Sequence, residues 1–170
     1  GVPIGFSHGY IRPDSSRAQV ESWFFDALPE YIKLAERHGV TLLLEPINRY
    51  EINYINRVDE ALTVLDRFRS PNLKLLLDTF HMNIEEHSLE NAIRAAGDRI
   101  GHVHFVDSNR WPPGYGHMDL RSVYRELRAV GYDRYLGIES LPQPDPDEGA
   151  RKGLAYLNAM RAVVDREFDR

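Results

Sequence analysis

Four residues with metal-ligating side chains recur at similar intervals along the chain. They stand roughly 30 residues apart, about the length of one strand and one helix, and each follows or ends a short apolar run: Glu45, Asp78, His104 and Glu139. Such runs are typical of buried strands. If these strands are parallel neighbours, their carboxyl ends lie side by side and the four side chains converge.

The chemistry of such a group would be cation binding. Three carboxylates in one place repel one another, and a divalent cation relieves that repulsion. Oxygen ligands with a single imidazole suit Mn²⁺, Mg²⁺ or Co²⁺ better than a metal that prefers thiolates. The alternative is that each residue is a separate helix cap or ion-pair partner, and Asp78 in particular can cap the turn that follows it. The repetition at four strand ends favours the metal site.

A second group of polar residues lies in the loops after three of these strands. Glu51, His81 and Arg110 can hold polar groups of a substrate, because arginine donates hydrogen bonds and a glutamate carboxylate accepts them. All three are also ordinary surface residue types, so the residues alone leave both interpretations open. Three aromatic residues of the same loops can either line a pocket or simply pack: Tyr50, Phe80 and Trp111.

Apolar periodicity predicts a regular alternation of strands and helices. The predicted strands are residues 1–6, 40–44, 73–78, 100–106 and 135–138, and the predicted helices with their caps are residues 15–39, 56–68, 88–97, 119–131 and 150–168. Pro29 predicts a kink or break in the first helix, and Asn56 is the predicted cap of the second. The prolines of residues 142–146 predict an extended loop.

This order predicts an α/β fold with a parallel sheet and right-handed crossovers. No linker divides the chain, so residues 1–170 are predicted to form a single domain. His102 shares a strand face with His104 but lies one layer deeper, and we expect it to be a hydrogen-bonded core histidine.

Composition excludes several classes of protein. The chain has 170 residues, of which 42% are apolar, enough for one sizeable core. It has no cysteine, which excludes disulfides and thiolate metal sites. The net charge of −5 without a dense basic tract argues against nucleic-acid binding, and no apolar run has the length of a membrane span. We therefore expect a cytoplasmic protein that binds neither nucleic acid nor membranes.

Four segments carry the residues described above. They are Glu-Pro-Ile-Asn-Arg-Tyr-Glu at 45–51, Leu-Asp-Thr-Phe-His-Met-Asn at 77–83, His-Val-His followed by Asp-Ser-Asn-Arg within 102–110, and Gly-Ile-Glu at 137–139. In this order they resemble the sugar isomerase/epimerase family with the xylose-isomerase-like TIM barrel, in the branch of the D-tagatose and D-psicose 3-epimerases. The second segment is the most specific of the four.

The resemblance implies a (β/α) TIM-barrel fold and metal-dependent sugar isomerisation or epimerisation, with ketose 3-epimerisation through an enediolate as the expected reaction. It implies that the four residues first described bind one divalent ion, with Mn²⁺ expected, and that Glu45 and Glu139 also form the acid/base pair. Glu51, His81 and Arg110 would then bind the sugar. Aldose–ketose isomerisation, inosose dehydration and non-catalytic metal binding are alternatives on the same site.

The chain is short for this family. A TIM barrel has eight βα units, whereas the chain has room for about five, so the resemblance implies the C-terminal portion of a barrel. A fragment, a natural half-barrel and two chains that complete one another all fit this length. Interior-facing residues, expected to include Leu43, Leu75, Leu77 and His102, would lack a facing half. We therefore expect a homo-oligomer, or a need for residues beyond these.

Overall fold

The computed structural model describes residues 1–168 and contains one five-stranded parallel sheet. The strands are β1 (Val2–Pro3), β2 (Leu42–Leu44), β3 (Leu73–Asp78), β4 (Ile100–His104) and β5 (Leu136–Gly137). They lie side by side in chain order, each parallel to its neighbours. The sheet is an open half-barrel, which confirms the predicted partial (β/α) barrel. Residues 169 and 170, the end of the expected 1–170 domain, lie outside the described residues.

Helices connect the strands and cover one face of the sheet. Within the described residues they are α1 (Arg17–His38), α2 (Val58–Phe68), α3 (Thr79–Glu85), α4 (Leu89–Ala96), α5 (Leu120–Ala129) and α6 (Pro146–Phe168). Short 3₁₀ turns occupy Phe6–His8 and Gly97–Arg99. The apolar periodicity did not predict α3, which follows β3 without an intervening loop.

The leucines of β3 lie on the opposite faces of the sheet from those that the sequence predicted. Leu75 and Leu77 pack in the apolar core under the helices, whereas Leu43 and Leu76 are buried outside that core. Side chains alternate along a strand, so Asp78 shares its face with Leu76. The expectation that Leu75 and Leu77 face the barrel interior is therefore wrong, and Leu76 takes that place beside Leu43.

His102 is half-buried rather than enclosed in the core. Its ring lies edge-on to that of His104, with 5.1 Å between the ring centres. It also lines a cavity of about 830 Å³ to which Gly1, Thr41 and Leu136, near the amino ends of three other strands, contribute. In the part of the chain that the structure describes, the His102 side chain makes no hydrogen bond, so the expected hydrogen-bonded core histidine is not found.

Helix α1 continues without a break through Pro29. Ser16 and Gln19 form a capping box at its start. Pro29 lies on the exposed side, where water can satisfy the carbonyl that a proline leaves unbonded, while Leu28 and Ile32 remain buried on the other side. Packing along the whole apolar face therefore outweighs the local cost of the proline, and the expected break is not observed.

Two other helix starts differ from the predicted ones. Arg57 rather than Asn56 is the N-cap of α2, because the Asn56 side chain donates instead to the carbonyls of Ile47 and Ile52. Helix α6 begins at Pro146, earlier than predicted. A proline in the first turn costs a helix nothing, since the N–H that it lacks has no intrahelical partner there.

Exposed apolar side chains lie at the free edge of the sheet formed by β1. A groove at this edge is lined by Val2, Ile4, Tyr31, Leu34 and Leu42. Val2 and Leu34 keep 49% and 51% of their surface exposed. An unpaired edge strand beside an apolar groove promotes association, because both backbone and apolar surface gain partners.

We expect the 170-residue chain, expressed alone, to be at least a dimer in solution. Leu34→Glu places a charge in the groove and should raise the dissociation constant of the dimer about tenfold or more. Lys33→Glu adds the same carboxylate on the neighbouring exposed position and should change it little. Light scattering over a concentration series checks this, and a stable monomer of the unsubstituted chain would contradict it.

Candidate functional site

The four predicted ligand residues meet at the carboxyl ends of β2 to β5. One ligand atom from each of Glu45, Asp78, His104 and Glu139 lies within 4.8 Å of the other three. Nδ1 of His104 is 3.2 Å from Oε2 of Glu139, 3.7 Å from Oδ2 of Asp78 and 3.9 Å from Oε1 of Glu45. The strand register contributes directly, because Asp78 and His104 are paired across β3 and β4.

Asp78 uses its two carboxylate oxygens for different purposes. Oδ1 accepts hydrogen bonds from the backbone N–H groups of Phe80 (2.8 Å) and His81 (3.2 Å), which caps the start of α3. Oδ2 faces Nδ1 of His104. The helix-cap and ligand-group interpretations of Asp78 are therefore compatible, and the cap fixes the direction in which the second oxygen points.

The electrostatics of the group reflect crowded negative charge. Burial, together with the carboxylates of Asp78 and Glu139, raises the pKa of Glu45 to about 7. Burial acts to lower the pKa of His104, but the three surrounding carboxylates outweigh it and the net shift is upward. Without a cation, the group therefore retains protons that an isolated glutamate or histidine would release.

The donor set fits a divalent metal ion. Nδ1 of His104 is buried and has no hydrogen-bond partner, so its lone pair is available among the carboxylates. Glu45 and Asp78 are almost fully buried, whereas the Glu139 side chain is 52% exposed. Carboxylate oxygens with one imidazole form the ligand set of a hard or borderline divalent cation. This group can therefore hold a metal ion, with Glu139 on its open side.

The three residues expected to contact a substrate form one hydrogen-bonded group. Nη1 of Arg110 donates to Oε1 of Glu51 at 2.5 Å. Nδ2 of Asn48 lies 3.0 Å from the same Glu51 oxygen and 2.7 Å from Nδ1 of His81. His81 is a buried residue. Burial lowers the pKa of His81, despite opposing effects from nearby carboxylates. The structure thus brings Glu51, His81 and Arg110 together, and it joins them through Asn48.

The three aromatic residues of these loops have different surroundings. The Arg110 guanidinium lies 5.2 Å from the ring centre of Phe80, within the range of a cation–π contact. Tyr50 is 81% exposed. Trp111 packs against Tyr115, with 6.0 Å between ring centres. Phe80 therefore supports the set formed by Glu51, His81 and Arg110, called here the outer group. Tyr50 and Trp111 lie in more open positions of the loops.

Asp107 organises the loop that carries Arg110, and the search for ligand residues missed it. Its buried carboxylate accepts backbone N–H groups of Ser108, Gly114 and Met118. Burial acts to raise the pKa of Asp107, but these hydrogen bonds outweigh it and the net shift is downward. The loop holds Arg110 at a φ of 60°, which is uncommon for a residue other than glycine. An aspartate three residues after the end of β4, before a loop rich in glycine and proline, was the available signal.

Thr79 is a second residue that sequence reasoning did not single out. Its hydroxyl donates to the carbonyl of Val106 at 2.6 Å and accepts the N–H of Val106 at 2.9 Å. These two bonds tie the chain after β3 to the chain after β4. They therefore hold the carboxyl ends of the two strands, and with them Asp78 and His104, at a fixed spacing.

The fold and the site together define a (β/α)-barrel-type protein with a carboxylate-rich group that can hold a cation at the carboxyl ends of its strands. A family profile described as the xylose isomerase-like TIM barrel matches residues 2–160. The chain therefore belongs to the xylose isomerase-like TIM barrel family, which confirms the family that the four sequence segments resemble.

Similar proteins of known structure or curated function are mainly sugar epimerases. The D-psicose 3-epimerase of Enterocloster bolteae is 44% identical over 105 residues, which make up 62% of this chain and 35% of that protein. The 3-dehydro-D-guloside 4-epimerase of Escherichia coli is 35% identical over 133 residues, or 78% of this chain and 51% of that protein. A crystal structure of D-psicose 3-epimerase in the presence of D-fructose matches with a TM-score of 0.84 and 30% identity.

That structural match covers 96% of this chain but 64% of the other. The chain spans about half, or less, of the length of the two curated relatives. The likeness therefore extends over almost the whole of this chain, but only over part of each relative. In the described residues, no helix is both long and apolar enough to cross a membrane.

We expect Mn²⁺ to stabilise the chain through the four-residue group. A ligand at one hundred times its Kd stabilises the folded state by about 2.7 kcal/mol, which is a rise of several degrees in melting temperature. Asp78→Asn keeps an oxygen for capping α3 but removes a charged ligand, so it should abolish most of that rise. Asp98→Asn, at an exposed position before the amino end of β4 and thus at the strand end opposite the group, is the control. Thermal melts with and without Mn²⁺ measure the rise. An equal rise in melting temperature for the unsubstituted chain and both variants would contradict the prediction.

The raised pKa of Glu45 predicts the pH dependence of the metal-free chain. Its folded pKa of about 7 exceeds the ordinary 4.5, so the stability linked to protonated Glu45 is present below pH 4.5 and is lost as the pH rises through 7. Glu45→Gln is neutral throughout and should unfold with a free energy higher by on the order of 3 kcal/mol at pH 8.

Urea unfolding of the chelator-treated chain at pH 5 and pH 8 measures this difference. The gain of Glu45→Gln over the unsubstituted chain should be larger at pH 8 than at pH 5. Glu30→Gln, on the exposed side of α1, should show no such gain at either pH. No gain for Glu45→Gln at pH 8 would show that Glu45 is not strained by burial and neighbouring charge.

Proposed function

We propose that the chain provides the metal site and the acid/base residues of a ketose 3-epimerase, with Mn²⁺ as the ion. The observation that carries this proposal is the convergence of Glu45, Asp78, His104 and Glu139 within 4.8 Å. The similarity to D-psicose 3-epimerases supports the choice of reaction. Since the chain spans only part of those relatives, the activity of the whole protein is part of the proposal.

Two glutamates of the site carry the proton transfers. When bound, the cation supplies Lewis-acid polarisation of the substrate carbonyl. One glutamate removes the proton from the carbon beside the carbonyl, and the other returns a proton to the opposite face, which inverts that centre. Glu45 and Glu139 follow β2 and β5, the outermost of the four contributing strands, which supports placing them on opposite sides of the substrate. Their roles exchange when the reaction runs in reverse.

The pKa of Glu45 suits proton transfer near neutral pH. A group that takes a proton in one direction and gives it back in the other is most effective when its pKa lies near the working pH. The value of about 7 in the metal-free site is raised by burial and by neighbouring carboxylates. A bound cation opposes that rise, so the two influences together set the proton affinity of Glu45 during the reaction.

The outer group is proposed to bind the part of the sugar that does not react. Glu51 accepts hydrogen bonds from hydroxyls, whereas Arg110 and His81 donate to oxygens. Arg110 is already paired with Glu51. The pair carries no net charge, which favours a neutral sugar over a phosphorylated one.

A complete pocket requires further walls around the open half-barrel. The groove at β1 and the cavity near the amino ends of the strands are both open to solvent in this chain. We propose that residues outside 1–168, or a second copy of the chain, cover them, and that the assembled enzyme is a cytoplasmic homo-oligomer. On this proposal the chain alone has weak epimerase activity or none.

Isotope exchange tests the reaction directly. With Mn²⁺ and a free ketohexose in D₂O, the assembled enzyme should place deuterium at C3 and form the C3 epimer. Deuterium at C1 or C2 with an aldose product would indicate aldose–ketose isomerisation instead. Metal binding without any exchange, in a preparation with a complete barrel, would indicate a non-catalytic metal protein.

Arg110→Ala tests the division between the four candidate metal ligands, called the inner group, and the outer group. It should raise KM for the ketose about tenfold or more, since a charged hydrogen bond is lost, while the affinity for Mn²⁺ stays near that of the unsubstituted enzyme. Arg121→Ala, in α5, provides a matched loss of one arginine outside the site. Loss of Mn²⁺ binding in Arg110→Ala would assign Arg110 a structural role instead.

A further inference from the structure

Asn48 is almost completely buried, at 1% exposure, in the turn after β2. Its side-chain amide makes three hydrogen bonds. Nδ2 donates to Oε1 of Glu51 at 3.0 Å and contacts Nδ1 of His81 at 2.7 Å, and Oδ1 accepts the backbone N–H of Tyr50 at 3.0 Å. Both amide hydrogens and the carbonyl oxygen are therefore used.

The orientation of this amide is fixed by its neighbours. The oxygen and nitrogen of an asparagine have nearly the same shape, so their assignment rests on hydrogen bonding. A reversed amide would place its oxygen against the Glu51 carboxylate and its N–H against the N–H of Tyr50, which are two repulsive contacts. Arg110 holds the same Glu51 oxygen, which suits the ionised carboxylate.

The amide in turn determines which nitrogen of His81 carries the proton. An amide nitrogen can only donate, so Nδ1 of His81, 2.7 Å away, must accept. A protonated Nδ1 would place two hydrogens between the same pair of nitrogens. The contact therefore excludes both the Nδ1–H tautomer and the imidazolium form, and it leaves the proton on Nε2.

We propose that Asn48 is a positioning residue that fixes the Nε2–H tautomer of His81, so that His81 offers a neutral N–H donor to an oxygen of the sugar. Only the identity of that oxygen rests on the proposed epimerase function. Within the described residues, Nε2 makes no hydrogen bond to the protein, so its proton is free to be donated. These contacts form one hydrogen-bonded series. The ion pair of Arg110 and Glu51 orients the amide of Asn48, and that amide leaves Nε2 of His81 as the donor.

Nitrogen NMR of the histidine rings tests the proposal without metal or sugar. In the chelator-treated protein labelled with ¹⁵N and ¹³C, long-range couplings distinguish a protonated ring nitrogen from a bare one. The His81 signals are those that His81→Gln removes. We expect a bare Nδ1 and a protonated Nε2 in the unsubstituted protein, and a protonated Nδ1 there would overturn the proposal without any variant.

Asn48→Asp supplies a second test, because an ionised carboxylate can only accept. Nδ1 of His81 should gain a proton in this variant, whereas Asn91→Asp, at an exposed position of α4, should leave the His81 signals unchanged. With the assembled enzyme, Asn48→Asp should raise KM for the ketose about tenfold or more, with Mn²⁺ affinity retained. An unchanged tautomer in a folded Asn48→Asp protein would overturn the proposal, and so would an unchanged KM together with a protonated Nδ1.

The outcome is separable from that of the proposed function. If no ketose is turned over but Nε2 carries the proton, the positioning role of Asn48 stands and the epimerase assignment fails. If the enzyme epimerises a ketose but Nδ1 carries the proton, the reverse holds. The NMR result therefore tests Asn48, and the exchange of deuterium tests the reaction.

Discussion

The mutual repulsion of three carboxylates around one imidazole nitrogen is the constraint on which the rest of this structure depends. Two like charges 4 Å apart repel by about 4 kcal/mol at an effective dielectric constant of 20, and here Glu45, Asp78 and Glu139 all lie near Nδ1 of His104. A folded chain holds such a group together only when the surrounding elements are stable without it. The apolar core beneath the helices supplies that stability, on the face of the sheet opposite Leu43 and Leu76.

The parallel sheet determines how the group can be built. Each of the strands β2 to β5 delivers one side chain to the same edge, and hydrogen bonds just beyond the strands keep those side chains from moving apart. Asp78 caps α3 with the oxygen that does not face His104. Thr79 ties the chain after β3 to the chain after β4. The inner group is thus held by strand register and by hydrogen bonds between side chains and the backbone, whereas the outer group is held by hydrogen bonds between side chains.

Much of this arrangement could be predicted from the sequence because strand ends leave a clear signal. A carboxylate or histidine after an apolar run identifies both the element and its end, and the four candidate ligands were found in this way. The sequence could not reveal Asn48, because an asparagine in a polar loop resembles any turn residue until its three partners are known. The side of the sheet to which Leu75 and Leu77 belong was also misassigned. An unbroken leucine run carries no alternation, and only the register relative to Asp78 decides the face.

The loop after β4 is built around a single carboxylate, and this limits which of its positions can be substituted. The loop conformation is determined by backbone N–H groups that converge on Asp107 and by the Asn109 side chain, which donates to the carbonyl of Tyr115 and accepts the N–H of Trp111. At Gly116, a Cβ would approach within 2.1 Å of the Asp107 carboxylate, so this position accepts no larger residue. The loop conformation therefore depends most on Asp107, Asn109 and Gly116. Substitution of outward side chains can change the surface around Arg110 while the four-residue group keeps its place.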